Sequence, residues 1–382
     1  MTVRTTTRTG QARRFRTGKP ASFGALLLVT AAWLAIQGAS ASDFATLCTG
    51  PDVVRCYGFD DAADLSGRVL PPYSGSENCA GGQCWLADSQ VKTSGNASLR
   101  FEIPSNSGAD TSGSFFLNFA DDLSRTFGPG DTFYVQWRQR FSSTMLTTHF
   151  EGTQYGGPWS GGFKQIIVGQ GDRAGCDPHH WNSQYCAGSC TPTEIVVQNT
   201  DQRGFPEMFP QMYHSCSLFD ALQQTVYDPF DILLQNGVGC SYNAVQAGDG
   251  SHAPPCFTYK ADQWMTFQLR VTLGALNGGY YRGSTIQLWV ADEGQDPASL
   301  VIDFPSYDLY ALSTFDGDSQ PASYGKLWLL PYQTQKSASH THPTAYVWYD
   351  DLIVSTSRIP DPDSSGTGGD EPPDPPTALE AY

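Results

Sequence analysis

Residues 132–141 read Thr-Phe-Tyr-Val-Gln-Trp-Arg-Gln-Arg-Phe, and the two-residue period of a strand sends Tyr134, Gln136, Arg138 and Arg140 to one face and a mostly apolar set to the other. A sheet face bearing phenol, amide and guanidinium groups is of the kind that binds sugars. Residues 264–272 and 344–354 repeat the pattern, so the chain builds several strands with one buried and one polar, aromatic face. Residues 164–168 (Lys-Gln-Ile-Ile-Val) read as a buried strand that brings Lys164 or Gln165 to a functional face. Trp328 reads as core or as a sugar platform, since an indole buries a large apolar area in either setting. His179-His180 and His340-Thr341-His342 fall in loops.

The N-terminus bears on the compartment. Six basic residues (Arg4, Arg8, Arg13, Arg14, Arg16 and Lys19) precede the apolar run 25–36, and small residues follow at 39–42. This order predicts a secretory signal peptide over 1–42, cleaved near Ala41. About a dozen apolar residues fall short of the ~20 that span a bilayer, which disfavours a membrane anchor, and no later segment is apolar enough to span. Cleavage removes 6 basic and no acidic residues, which leaves 16 basic against 38 acidic and moves the formal charge from -16 to -22. Such a field opposes nucleic acid and anionic membranes as partners.

All ten cysteines lie beyond residue 42, and an even number in an exported chain predicts disulfides. Cys48 with Cys56, Cys79 with Cys84, and Cys240 with Cys256 are plausible local pairs. The connectivity of Cys176, Cys186, Cys190 and Cys216 is open, and a zinc site from Cys186, Cys190 and His179 or His180 is the weaker alternative. Residues 361–382 form an acidic tail rich in Pro and Gly, without the apolar content for a core. Over 43–360, short runs of Val, Ile, Thr and aromatics are broken by Gly, Pro, Asn and Asp with no sustained helical period. That pattern predicts one all-β domain with few helices, 219–224 being a candidate, and a two-sheet jelly roll with long disulfide-stapled loops. A secreted, periplasmic or cell-surface monomer is expected.

The opening Arg55-Cys56-Tyr57-Gly58-Phe59-Asp60-Asp61 and the closing strand 346–355 resemble the first and last strands of the concanavalin A-like lectin/glucanase superfamily. Its glucanases need a Glu-x-Asp-x-x-Glu strand that sets two carboxylates on one face. No such strand is present, and Glu151, Glu194 and Glu207 are isolated from one another. The chain is more similar to jelly-roll polysaccharide lyases of the alginate lyase type. Arg138 and Arg140 share a strand face, residues 168–172 resemble the Gly-Gln-Ile-His motif with Asp172 in place of the histidine, and 324–332 resemble the Tyr-x-Lys-x-Gly-x-Tyr strand with altered spacing.

That resemblance implies β-elimination on a uronate polymer. Cationic or amide groups must neutralise the carboxylate, a base must take the C5 proton and an acid must protonate the leaving oxygen. Arg138, Lys164 or Gln170 suits the first role, and Tyr332, His214 or His340 the second, with Arg140, Lys326 and Trp328 as further substrate contacts. A lyase requires Arg138, Lys164 or Gln170, and Tyr332 to converge in one groove. The alternative is a non-catalytic carbohydrate-binding or cell-surface module, which requires only exposed aromatics and amides. Because first and last strands are neighbours in this architecture, Asp60-Asp61 and Asp350-Asp351 imply a structural calcium between Asp60 and Asp351.

Overall fold

The computed structural model describes residues 40–70, 79, 83–109, 111–152, 162–171, 194–199, 209–214, 232–233, 235, 257–293, 298–311 and 321–360. The histidines at 179 and 180, the candidate helix 219–224 and the cysteines at 176, 186, 190, 216, 240 and 256 lie outside these residues. Two of the expected disulfides are formed, Cys48–Cys56 and Cys79–Cys84. No helix among the described residues is long and apolar enough to cross a membrane.

The fold is all-β, two antiparallel sheets packed as a jelly-roll sandwich. Numbered along the chain, the first sheet contains β1 (Val53–Tyr57), β3 (Trp85–Asp88), β4 (Ser98–Ile103), β6 (Thr132–Phe141), β11 (Trp264–Thr272), β12 (Ala275–Asn277), β13 (Tyr280–Asp292), β14 (Ser299–Tyr310) and β16 (Ala345–Ser355). Its order is β12-β13-β11-β6-β16-β4-β3, with β14 on β13 and β1 on β16. The second sheet contains β2 (Val69–Leu70), β5 (Ser114–Asn118), β7 (Lys164–Gln170), β8 (Ile195–Gln198), β9 (Gln211–His214), β10 (Ile232–Leu233) and β15 (Tyr324–Leu329), in the order β10-β9-β8-β7-β15-β5-β2. Three short helices accompany them: α1 (Ser40–Cys48), α2 (Ala62–Leu65) and α3 (Ser143–Thr147). α2 starts where the Asp61 carboxylate accepts from the Ala63 and Asp64 amides, α3 where the Ser142 hydroxyl accepts from Met145 N.

The core lies between the sheets. Phe133, Val135, Trp137 and Phe141 of β6 meet Ile166 and Val168 of β7 and Leu327 and Leu329 of β15 in one buried cluster. Trp137 stacks on Phe267 at 5.3 Å and Phe133 on Phe127 at 4.9 Å. A separate small cluster of Ile167, Val196, Tyr213 and Leu330, with Trp328 and Tyr332 against it, covers the outer side of the second sheet. Strand alternation thus separates an inner and an outer set along most of this sheet.

Among the register slips of the two sheets, three bear on the residues below. In β16 the register slips between Asp350 and Ile353, where Asp351 has φ +47°. In β15 a bulge at Gly325 turns Tyr324 into the core. Here the backbones of Gly171 and Gly325 approach so closely that a Cβ on Gly171 would lie 2.3 Å from the Gly325 carbonyl carbon. In β7 the register slips between Lys164 and Ile166, so that two residues of β7 face one of β8.

Candidate functional site

The slip in β7 decides the site. Ile166 and Val168 point to the core, and unbroken alternation would send Lys164 there too. The extra residue reverses it: Gln165 turns inward, and Lys164 goes outward with its Nζ 5.7 Å from the Tyr213 ring centroid and 5.4 Å from that of Tyr332. Across the sheet Lys164 is opposite Gln198 and Gln198 is opposite Gln211, while the Lys164 amide donates to the Tyr332 carbonyl at 3.0 Å. The outer face therefore carries a polar row of Tyr332, Lys164, Gln198 and Gln211. A second row runs Phe116, Trp328, Ile167, Val196 and Tyr213. A third begins with Asn118 and Lys326 and reaches Gly169.

Electrostatics single out Lys164. It is 5 % exposed, and burial lowers its pKa, an effect that the carboxylate of Glu194 partly opposes. Burial pushes the Tyr213 phenol well above its ordinary range, with Glu194 and Tyr332 adding to the rise. A lysine driven towards its neutral form beside a phenol that keeps its proton is a base next to an acid. The Nε2 of Gln211 is buried and has no hydrogen-bond partner among the described residues. Lys326 leans over the Trp328 ring at 5.3 Å.

Lys164, Lys326, Trp328 and Tyr332 are thus brought to one face. The other expected residues are not: Arg138 lies on the other sheet, so the groove expected of a lyase from the sequence does not form, and elimination on this fold would have to neutralise the uronate carboxylate without Arg138. Arg138 projects from the outer face of the first sheet, on the far side of the sandwich, where it is 4 % exposed and 3.6 Å from Asp351. Arg140 stands on that same face, 3.9 Å from Asp262 and over the Trp348 ring at 5.8 Å. Gln170 shares the inward side of Ile166 and Val168, opposite the buried Tyr324. His214 also points inward, edge-on to Tyr307 at 5.9 Å, and burial lowers its pKa to about 3. His340 accepts from the Glu151 amide at 3.1 Å and packs on His342 at 4.9 Å, in the connection between β15 and β16.

Asp60 and Asp351 lie against the same loop. The Asp60 carboxylate accepts from the Asn96 amide, while Asp351 accepts from Thr93 and Ser94 hydroxyls and Asp350 from the Thr93 amide. Burial and mutual repulsion raise the pKa of Asp350 well above the usual carboxylate range. Among the described residues no group of three or more His, Cys, Asp or Glu side chains is arranged to hold a metal ion, and these carboxylates are taken by amide, hydroxyl and arginine donors.

Gln198, Gln211 and Tyr213 went unrecognised in the sequence. The signal was present as glutamines and a tyrosine beside Val and Met in 195–198 and 211–214, but two four-residue strands by themselves give no register.

No protein-family model matches the chain, and no curated protein matches it. Among solved structures it is similar to the alginate lyase Aly36B (13 % identity, 80 % of this chain and 98 % of that one, TM-score 0.40). It is also similar to the PL-14 alginate lyase from Aplysia kurodai (10 %, 72 % and 87 %, TM-score 0.43) and the PL7 alginate lyase AlyA1 from Zobellia galactanivorans (12 %, 80 % and 91 %, TM-score 0.33).

Proposed function

We propose that the protein is an exported polysaccharide lyase that cleaves a uronate-containing polymer by β-elimination on the outer face of its second sheet. The observation that carries this reading is Lys164, a buried amine with a lowered pKa held between two tyrosine rings beside a row of amides. Neutral Lys164 takes the proton from C5 of the uronate. The released electron pair forms the C4–C5 double bond as the C4–O bond breaks, and the leaving oxygen takes a proton from Tyr213 or Tyr332. The amides of Gln198 and Gln211 donate to the uronate carboxylate while charge builds on it. Trp328 and Phe116 supply apolar surface for the sugar faces. The two disulfides suit an oxidising compartment. A calcium between Asp60 and Asp351 would be structural, since Asp351 belongs to β16 of the first sheet and Asp60 to the segment after β1, both away from Lys164.

The test is ultraviolet detection of unsaturated uronate when the mature protein meets alginate, glucuronan, pectin and glycosaminoglycans. A rise with one polymer that disappears in Lys164→Met is expected. Silence with every polymer, together with retention on an insoluble polysaccharide, replaces the lyase by the binding-module reading.

A further inference from the structure

The residue that occupies the β7 bulge is tied to the opposite sheet. Gln165 Nε2 donates to Gln139 Oε1 of β6 at 2.8 Å, and the Tyr259 hydroxyl donates to Gln165 Oε1 at 2.7 Å. The Gln165 carbonyl accepts from the Tyr349 hydroxyl of β16 at 2.9 Å and from Leu330 N at 3.3 Å. Gln139 Oε1 is held in turn by the Trp137 indole N–H at 3.0 Å. All five side chains are buried. A polar group in such a place is costly unless paired, so the pairing fixes which residue faces inward. Sliding β7 by one residue would break these bonds and carry Lys164 to the core side, because register and face are the same variable in a strand.

We propose that Gln165 is a positioning residue, whose bulge is clamped by Gln139, Tyr259 and Tyr349 of the opposite side of the core and thereby holds Lys164 on the outer face between Tyr213 and Tyr332. The proposal rests on the lyase reading for its kinetic consequence, but the clamp itself is testable without any substrate. Lys164 is faced by Tyr332 after β15, by Tyr213 of β9 and by the field of Glu194 before β8, and its environment depends on the bulge that orients it towards them.

The experiment is a nuclear magnetic resonance titration of the lysine side chains in the isotope-labelled mature protein. Only five lysines follow residue 42, and Lys164→Arg assigns the signal. In Tyr259→Phe and in Gln165→Leu, Lys164 is expected to titrate about one pH unit or more higher, nearer an ordinary lysine. The kcat for uronate elimination is expected to fall about tenfold, with KM changed less than about twofold. Gln268→Leu is the control: this buried glutamine bonds Gln136 and the Ile359 carbonyl on the far sheet, and its loss should lower stability without moving the Lys164 titration. Tyr259→Phe removes one hydroxyl and keeps the test usable where Gln165→Leu does not fold. An unchanged Lys164 titration in Tyr259→Phe overturns the clamp. A shifted titration in a protein that cleaves no uronate polymer upholds the clamp and removes the lyase reading instead.

Discussion

The outer faces of the two sheets carry cations in opposite circumstances. On the first sheet Arg138 faces Asp351, Arg140 faces Asp262 and Arg100 faces Asp88, while Arg270 bonds Gln287 and covers the Tyr134 ring. Arg100 and Arg140 also cover the rings of Tyr346 and Trp348. On the second sheet, Lys164 has no carboxylate within ion-pair distance among the described residues and lies between two tyrosines. The first face has these cations engaged and its rings occupied, an arrangement that stiffens a sheet. The second keeps a desolvated amine beside acids and amides, an arrangement that can exchange a proton. Residue type alone would rank the arginine face first, and it is the partners that reverse the order.

The sharpest way to break this comparison is to remove one cation from each face. Lys164→Met should lower elimination about 10³-fold while leaving the melting temperature nearly unchanged. Arg138→Ala should leave the kcat of the folded protein within about twofold, but cost about 3 kcal/mol in denaturant unfolding, because it strands a buried carboxylate. If Arg138→Ala silences a protein that melts normally, the assignment of the two faces is wrong.

Next in size is the glycine contact below the second sheet. Gly171→Ala would drive a methyl into the Gly325 backbone and is expected to cost about 2–3 kcal/mol. A chemical denaturation curve measures it, and a neutral outcome would mean that the β7–β15 junction yields.

Acidification separates core from surface. The folded pKa of His214, about 3, lies below the ordinary 6.5. Protonation therefore favours the unfolded chain, and the contribution of this group is full above about pH 6.5 and lost as the pH falls towards 3. By pH 5 it should have cost about 2 kcal/mol. Burial moves His342 the same way, to about 4, while Asp350, with its raised pKa, works against them as it takes up a proton. The check is stability against pH in His214→Phe, whose curve should be flatter between pH 7 and 5 than that of the unaltered protein.

The smallest expected effect is on the arginine face. Calcium in excess of its dissociation constant should stabilise the protein by about 1 kcal/mol, and chelation or Asp351→Asn should remove the gain. Melting curves with and without calcium decide it, and identical curves dispose of the cation.

Much of this was legible in the linear chain. The alternation in 132–141, 264–272 and 344–354 gave the all-β class, and in the first two also the inward set, because side chains on a strand have a fixed period of two. The two short disulfide loops followed from proximity in sequence. Asp351 was visible as an acid, but its left-handed backbone and the slip around it were not. Lys164 and Arg138 could be told apart only in three dimensions. Their composition and strand context are similar, yet one has a carboxylate across a slipped register and the other an extra residue in its strand that turns it over. Local sequence determined which residues form strands and which faces are apolar, since those depend on the chain's own geometry. Tertiary structure alone decided which strands are neighbours and where the registers slip, because those are settled by hydrogen bonds such as Gln165 to Gln139, made between residues 26 positions apart on different sheets.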